Sequence, residues 1–487
     1  MSAAGHTEVG PVSWRDLLSG PNGRMFAVLS LGVWLHAADS TVVATLLPGA
    51  VADIGGAAYI SWNFVLYELA SIAAACCAAL VARRFGLRRS MIWSGLAVAV
   101  GCALSAATPV MAGMLVGRTI QGAGGGLLVA LTMVGVASLF PSNYTPRAMA
   151  AIAAVWGSSS FVGPLIGGVF AEMGLWRMGF WAFAAQGLLV AVALRWNLPA
   201  DARTEDNGAR IPWRRLSVLS LGVLAIAGAG LEEGMTLLTV AIAALGLVGM
   251  ALFLKLDGQA GDANRLLPKM TGNLRSPGSG GFAAVFLLAC ATVPFAIYGP
   301  ILLGILHGTG PLAAGYMIAL ESVAWTVGAL LLAKYVGTIQ IRIIRWSFIG
   351  SLIGCVGLVF VFVPGPVWAM LPFIFLLGLG FGAAYGHIVQ RCVDLVPAED
   401  KDRAAGAMPT IQTIGYAVGA AVTGLVANLV GFGHAPSPAA AVEAAHWIFA
   451  VMVPVGVLGV LSVYRIPAGD VEKAPDLTAP HAPEGGA

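Results

Sequence analysis

The stretch MFAVLSLGVWLHAADSTVVATLL, residues 25–47, contains a single charged side chain, that of Asp39. An α-helix rises 1.5 Å per residue, so a helix of this length covers about 34 Å and crosses the ~30 Å hydrocarbon core of a bilayer. Within that core the backbone polar groups need partners inside the segment, and a helix provides them. We therefore predict a membrane-spanning helix here.

Thirteen more apolar segments follow, so the sequence predicts an all-α polytopic membrane protein with 14 transmembrane helices. They lie at about 59–80, 91–108, 111–139, 148–170, 177–196, 216–231, 236–256, 281–304, 312–334, 343–363, 366–390, 407–430 and 446–464.

The positive charges fall on one side of this series of segments. All but two of the 26 Lys and Arg residues lie at the termini or near the gaps that follow even-numbered segments; the exceptions are Arg177 and Arg118. Since cytoplasmic loops carry an excess of Lys and Arg, both termini are predicted to be cytoplasmic. The cations thus serve topology, and they give no reason to expect a nucleic-acid partner.

The segments group as two sets of six with a pair between them, which indicates an internal repeat of six-helix bundles. The expected regions are a cytoplasmic N-terminal segment (1–24), an N-terminal bundle (25–196), a linker (197–215), a two-helix insertion (216–256), a second linker (257–280), a C-terminal bundle (281–464) and a disordered tail (465–487).

Composition excludes several classes of protein. Hydrophobic residues make up 58% of the chain and charged residues 10%, against roughly 25% charged in a soluble domain. The six cysteines lack metal-ligand spacing and are interpreted as packing residues. No phosphate-binding loop of the form Gly-x-x-x-x-Gly-Lys-Ser/Thr is visible. We expect no enzyme activity, no metal and no cofactor, so that any uphill transport uses an ion gradient.

Four motifs resemble those of the fourteen-helix drug:proton antiporters in the major facilitator superfamily. They are residues 38–48 (ADSTVVATLLP) in segment 1, Trp62 and Tyr67 at the start of segment 2, Arg118-Thr119-Ile120-Gln121-Gly122 in segment 4, and Gly163-Pro164-Leu165-Ile166-Gly167-Gly168 in segment 5. The resemblance covers nearly the whole chain. It implies the major facilitator fold and proton-coupled export.

The loop between segments 2 and 3 departs from the family pattern. The family has an Asp where this chain has Arg83, and an Arg where it has Leu87; Arg84, Gly86 and Arg88 complete the motif. In the family that Asp is implied to latch the two halves together near the cytoplasmic face. The substitution by a cation makes the usual latch an open question.

Buried ionisable groups are candidates for proton coupling, because an unpaired ion at membrane depth is costly. The candidates are Asp39, Glu68 and Glu321, and Arg118 is the candidate counter-charge because it stays protonated. Glu68 precedes the loop glycine Gly86 by 18 residues, and Glu321 precedes its loop glycine by 16, which places the two acids within about 3 Å in depth.

Further residues are predicted from their position in the segments. Candidates for the substrate cavity are His36, Gln121, Tyr298, Tyr385, His387 and Gln390. Candidates for a hinge or a close-packed sliding face are Gly163, Pro164, Gly167 and Gly168, because proline interrupts helix hydrogen bonding and glycine permits close approach.

The predicted function is secondary transport by alternating access in the inner membrane of a bacterium, with protons and an amphipathic small molecule as substrates and lipids as surroundings. The protein is expected to be a monomer. Two alternatives stay open: a dedicated carrier that exports or imports one metabolite, lipid or siderophore, and a sensor or scaffold that does not transport.

Overall fold

The structure is a computed structural model that describes residues 13–200, 211–232, 234–261, 265–268, 271, 276, 278–396 and 400–467. The remaining parts of the predicted linkers and tail lie outside the described residues.

The described chain folds into helices. They are α1 (Trp14–Leu18), α2 (Gly20–Ile54), α3 (Trp62–Ala75), α4 (Ala78–Phe85), α5 (Leu87–Ala107), α6 (Met111–Leu139), α7 (Thr145–Glu172), α8 (Trp176–Asn197), α9 (Trp213–Ala229), α10 (Leu237–Gly258), α11 (Ser279–His307), α12 (Pro311–Leu332), α13 (Thr338–Val361), α14 (Val367–Asp394), α15 (Lys401–Leu429), α16 (Pro438–Ala450) and α17 (Met452–Tyr464).

Every predicted apolar segment contains helix, but length and hydropathy identify fewer than fourteen of these helices as membrane spans. In the described residues, 12 helical stretches are long and apolar enough to cross a membrane, and one of these joins α16 to α17. A thirteenth span results if α3 and α4, which meet at a 54° bend, are one span. Helix α9 has 17 residues. The all-helical membrane fold is thus confirmed, and the count of fourteen stays a prediction.

Two bundles repeat the same packing. In the N-terminal bundle α7 packs on α2, where a Cβ added at Gly163 would lie 2.8 Å from the Ala38 carbonyl oxygen. In the C-terminal bundle α15 packs on α11, where a Cβ at Gly415 would lie 2.6 Å from the Phe286 carbonyl oxygen. Glycine is needed at both points because any side chain would collide with the neighbouring backbone. The fifth helix of each bundle therefore meets the first in the same way.

We name the two ends of the molecule by their residues. The cationic face is the end that holds the turn between α4 and α5, with Arg83, Arg84 and Arg88. The opposite face is the end that holds residues 55–61, between α2 and α3. There Asp53 pairs with Arg177 at 3.0 Å.

The bundles are joined in the part of the molecule nearer the opposite face. Helix α7 packs on α12, and α3 packs on α15. Described hydrogen bonds between the bundles run from Ser322 Oγ to the Ser160 carbonyl (3.1 Å), from the Leu312 N–H to Glu172 Oε2 (3.2 Å) and from Asn428 Nδ2 to the Ala58 carbonyl (2.9 Å). The last two lie at the opposite face, which is therefore the closed end in this conformation.

The inserted hairpin of α9 and α10 lies outside the two bundles. Its helices pack closely because Gly222 faces Gly246, so that a Cβ at Gly222 would lie 3.0 Å from the Gly246 carbonyl oxygen. At the cationic face Arg215 Nη1 lies 2.6 Å from Asp257 Oδ1, a buried ion pair between the two helices. Helix α9 contacts both α3 and α15, which belong to different bundles.

Candidate functional site

Asp39 is fully buried on α2 and is held by two neighbouring helices. Arg118 on α6 places Nη1 3.4 Å from Asp39 Oδ2, and the Cys102 thiol on α5 donates to Oδ1 at 3.4 Å. The ion pair that the sequence predicted is therefore present. A charge at this depth needs such partners, since an isolated carboxylate would be strongly destabilised away from water.

Arg118 is also fully buried, and its contacts extend beyond the carboxylate. Its Nε donates to the Asn63 carbonyl at 3.3 Å, and Nη1 donates to Gln121 Oε1. Its guanidinium lies over the ring of Tyr67, 4.1 Å from the centroid. Arginine suits this position because its planar group stacks on an aromatic ring while its edges donate hydrogen bonds. Among these described contacts, Nη2 has no hydrogen-bond partner.

A glycine-rich stretch of α6, residues 122–126, brings α2 and α3 to this site. A Cβ at Gly122 would lie 2.1 Å from the Tyr67 carbonyl oxygen, and one at Gly125 would lie 2.3 Å from His36 Nδ1. Because these positions have no side chain, the Tyr67 and His36 rings stack at 5.4 Å between centroids. The Tyr67 hydroxyl lies 2.9 Å from His36 Nδ1, so the two rings are joined to the Arg118 pair.

Glu68 and Glu321 differ from Asp39 in having no counter-charge in contact. Both are partly exposed, on α3 and α12 respectively, and neither carboxylate has a hydrogen bond or ion pair with another described residue. The Tyr416 hydroxyl on α15 lies within electrostatic range of both acids. The two predicted acids, one from each bundle, are thus within long-range electrostatic reach of one tyrosine, without a described contact to it.

The remaining cavity candidates are distributed over three places. Gln121 and His36 belong to the Asp39 site and are 0% and 6% exposed. Tyr298 is also 0% exposed and lies against Phe432, at the closed end. Tyr385 is partly exposed beside Phe381, at 6.0 Å between ring centroids. Contact of the first three with a substrate would therefore require another conformation.

His387 and Gln390 lie near the cationic face, in a polar cluster with Gln340 and Arg391. Gln340 Nε2 donates to Gln390 Oε1 at 3.0 Å, and Arg391 Nε donates to Gln340 Oε1 at 2.7 Å. Ring nitrogen Nε2 of His387 lies 3.0 Å from the Leu332 carbonyl, at the end of α12. His387 is thus bound to the end of α12 in this conformation, and its place in the substrate cavity stays a prediction.

Two of the four hinge candidates, Pro164 and Gly168, lie where α7 crosses α12. A Cβ at Gly168 would lie 3.0 Å from the Leu312 Cα atom. Pro164 has no N–H, so the Ser160 carbonyl four residues earlier lacks its helical donor. The hydroxyl of Ser322, on the other bundle, donates to that carbonyl at 3.1 Å. The proline thus creates an acceptor that the partner bundle uses. Gly163 and Gly167 pack on α2 at the same level.

The altered loop motif lies at the cationic face. Gly86 has φ +89°, a conformation that favours glycine, and it ends α4. Arg88 Nη1 lies 3.5 Å from the Leu198 carbonyl, and Arg84 lies over Phe85 at 5.5 Å from the ring centroid. The described contacts of Arg83 include no partner for its Nε atom.

Comparison with known proteins identifies the family. The sequence model of the Major Facilitator Superfamily matches residues 29–420. The chain belongs to the Major Facilitator Superfamily. A Mycobacterium tuberculosis (strain CDC 1551 / Oshkosh) protein named "Probable multidrug-efflux transporter" is 32% identical over 474 residues, which cover 92% of this chain and 95% of that protein. Efflux pump DEP3 of Alternaria brassicicola is 26% identical over 448 residues, covering 86% and 77%.

Solved structures show the same fold. A peptide transporter named POT, in complex with sulfate, aligns with a TM-score of 0.65 at 15% identity and covers 94% of this chain and 97% of its own. A bacterial homolog of the human lysosomal transporter Spinster, inward-facing and occupied, aligns with a TM-score of 0.63 at 14% identity, covering 92% and 97%. The chain is a multi-pass membrane transporter of this superfamily, as the sequence predicted.

Proposed function

We propose that this transporter exports amphipathic small molecules, preferably cationic ones, and that proton entry drives the export. The observation that carries the proposal is two membrane-embedded acids, Glu68 and Glu321, that have no hydrogen bond or ion pair with another described residue. Arg118 of the buried Asp39–Arg118 pair lies within electrostatic range of Glu68 but not in contact with it. The efflux transporters among its relatives support the direction of transport.

The acids provide the coupling. A carboxylate without a counter-charge is stabilised either by a proton or by a bound cation. In a site of low dielectric constant, protonation and cation binding therefore compete strongly. Release of a cationic substrate outside therefore favours protonation from the acidic side. The protonated site then returns to face the cytoplasm. There the next cation binds and displaces the proton. Arg118 stays charged throughout and holds Asp39 in place.

Aromatic rings next to the acids support an amphipathic cation as substrate. Phe381 lies 6.0 Å from Tyr385 and 6.3 Å from Tyr416 between ring centroids, and Tyr416 is the residue within range of both acids. Ring faces attract cations and also bury apolar groups. A flat organic cation satisfies both demands, whereas a neutral polar metabolite satisfies neither.

The membrane arrangement is proposed from the charge pattern. The cationic face is cytoplasmic, with both termini there, in the inner membrane of a bacterium, and the protein acts as a monomer. Helices α3 and α4 form one bent span, and α9 at ~26 Å is the shortest of fourteen. The bundles are joined at the opposite face, so this conformation is open at the cationic face, which is the cytoplasmic side in this proposal.

The energy available is sufficient for uphill export. With two acids, entry of two protons for each monovalent cation exported moves one net charge inward. Each elementary charge that crosses 100 mV contributes about 2.3 kcal/mol, and a pH gradient adds to this. A membrane potential of that size therefore supports an accumulation ratio of about 50-fold per net charge moved.

The test uses purified protein in liposomes with an imposed pH gradient and a fluorescent amphipathic cation. Wild type should move the dye against its gradient, and Glu68→Gln or Glu321→Gln should abolish uphill movement while retaining dye binding or exchange. A neutral analogue of the dye should be transported poorly. Full gradient-driven transport by Asp39→Asn, Glu68→Gln and Glu321→Gln, each at normal abundance, would rule out this coupling scheme.

A further inference from the structure

The two bundles meet along two lateral seams that are related by the internal repeat. In the first, α7 of the N-terminal bundle packs on α12; in the second, α15 of the C-terminal bundle packs on α3. Each seam separates the lipid from the space between the bundles. In a symmetric molecule both would offer the same route from the bilayer to the central acids.

The α9–α10 hairpin lies along the α3–α15 seam. Toward the opposite face, a Cβ at Gly230 would lie 2.7 Å from the Leu425 Cα atom of α15. Toward the cationic face, Cys76 at the end of α3 lies within electrostatic range of Arg215 and Asp257. Helix α9 therefore follows this seam from one face to the other, and α10 packs on α9.

The α7–α12 seam has no such cover. Among the described residues, every helix that packs substantially on α7 or α12 belongs to the two bundles or is the short α1. Contacts between α7 and α12 are found from Gly157, next to Thr326, up to Glu172 at the opposite face. One turn closer to the cationic face, Ala153 lies on the same side of α7 as Gly157 and is exposed.

From this difference we infer that the hairpin closes the α3–α15 seam to lipid, and that substrate dissolved in the bilayer reaches the acids through the α7–α12 seam. The inference rests on the proposed function in so far as the substrate is amphipathic. It assigns a role to the two-helix insertion: the insertion makes lateral entry one-sided.

The chain offers a matched pair of positions for the test. Gly163 and Gly415 are equivalent in the two bundles, so Ala153 on α7 corresponds to Ala405 on α15, ten residues before each glycine. Both alanines are exposed. A tryptophan narrows the uncovered seam at the first position and the covered seam at the second.

Export from liposomes is measured for two dyes that share one cationic head and differ only in alkyl-chain length. Ala153→Trp should lower the initial rate for the long-chain dye about fivefold or more and leave the short-chain dye nearly unchanged. Ala405→Trp should affect neither dye by more than about twofold. A general defect in conformational change would slow both dyes equally, so the chain-length difference reports the route. Equal slowing of the long-chain dye by both variants, or no effect of Ala153→Trp, would overturn the inference.

A second measurement does not depend on export. In a variant without native cysteines, a fluorophore is attached through cysteine at position 153 or 405, in liposomes with a lipid-soluble quencher. Quenching should be severalfold stronger at 153. Equal quenching at both positions would show that both seams are open to lipid, whether or not the protein exports dyes; a lack of export by wild type would instead count against the proposed function.

Discussion

Glu321 occupies in the C-terminal bundle the position that Tyr67 occupies in the N-terminal bundle. A Cβ at Gly378 on α14 would lie 2.0 Å from the Glu321 carbonyl oxygen, and one at Gly122 on α6 would lie 2.1 Å from the Tyr67 carbonyl oxygen. The fourth helix of each bundle thus touches the second helix at these two residues. The two acids are therefore offset by one residue, about 1.5 Å in depth and 100° around the helix.

The offset gives the acids different neighbours. The counterpart of Glu68 is Ser322, whose hydroxyl donates across the α7–α12 seam to Ser160. The position equivalent to Ser160 on α15 is Gln412, whose Nε2 donates to the Tyr416 hydroxyl at 2.9 Å. Glu68 therefore lies on the side of α3 that meets α15, and by the equivalence of the two bundles we expect Gln412 to be its partner across the α3–α15 contact in another conformation.

The first prediction follows from the expected contact between Glu68 and Gln412. A double-mutant cycle of Glu68→Gln with Gln412→Ala, measured on dye affinity, should show a coupling of at least about 0.5 kcal/mol, because contacting residues are not additive. The same cycle with Glu321→Gln should be additive within about 0.3 kcal/mol. Equal coupling in both cycles would mean that the one-residue offset has no consequence.

The second prediction concerns the carbonyl that Pro164 leaves without a helical donor. Ser322→Ala removes its remaining donor and should lower the stability of this conformation by about 0.5–1.5 kcal/mol, the net contribution of one hydrogen bond, because the Ser160 carbonyl is only partly buried. In a Pro164→Ala background the helix supplies the missing N–H, so Ser322→Ala should then have little effect. Thermal unfolding of the four proteins in detergent measures both differences. An equal effect in both backgrounds would contradict the proposed link between the proline and the serine.

The third prediction separates structural from functional roles of the buried ion pair. Arg118→Met leaves the Asp39 carboxyl buried without its ion-pair partner, so it should destabilise the protein by about 3–5 kcal/mol. Adding Asp39→Leu removes the stranded carboxyl and should restore protein level, since an apolar pair tolerates burial. Transport should remain absent in the double variant. Membrane abundance and dye export, measured together, distinguish these outcomes; recovery of export would show that the pair is only structural.

The sequence predicts the helical membrane fold well because long apolar segments and the distribution of cations each have one physical interpretation. Apolar length predicts the membrane helices, although the count of fourteen spans stays a prediction, and cation distribution predicts the sidedness that we propose. The contact between Asp39 and Arg118 was foreseeable because a membrane charge needs a partner, and it is confirmed. The break between α3 and α4 at Cys76–Cys77 was not foreseeable, since residues 71–82 are small or apolar and include no proline or glycine that would mark a bend.

Contacts around the pair were missed for a different reason. Cys102 was interpreted as a packing residue, yet its thiol donates to Asp39. Asn63 contributes a backbone carbonyl, which no residue pattern reveals. The available signal for the site was the glycine-rich stretch 122–126, because consecutive glycines in a membrane helix indicate close approach by neighbours.

The fourth prediction tests sidedness. In a variant without native cysteines, Ala52→Cys should react with a membrane-impermeant thiol reagent in intact cells, because Ala52 is exposed at the opposite face. Arg84→Cys, exposed at the cationic face, should react only after the cells are permeabilised. We choose Ala52 over the neighbouring Asp53 because Asp53 forms an ion pair with Arg177, which the substitution should leave intact. The reverse labelling pattern would overturn the proposed cytoplasmic location of the cationic face.

The last prediction concerns the loop in which Arg83 replaces the family's Asp. Helix α4 carries Arg83 at the cationic face, and α15, which packs on the preceding α3, begins there with Lys401. The charges of the residues at the start of α15 nearly cancel, because Lys401 and Arg403 stand among Glu399, Asp400 and Asp402. The N-terminus of α15 still carries partial positive charge on its free N–H groups, so Arg83 opposes closure when the bundles rock to close this face. Arg83→Asp turns the repulsion into attraction, so we expect it to favour the closed cationic face without loss of folding.

The size of the effect follows from exposure of the charges. An exposed ion pair contributes about 0.2–1 kcal/mol, which shifts a two-state equilibrium by up to about fivefold. Disulfide cross-linking between cysteines at Ala79 on α4 and Ala405 on α15, both exposed, should increase in Arg83→Asp and increase about half as much in Arg83→Gln. The increase should shrink at high salt, because screening shortens the reach of exposed charges. If the yield of Arg83→Asp equals that of wild type at low salt, charge at this loop does not set the balance between the two conformations.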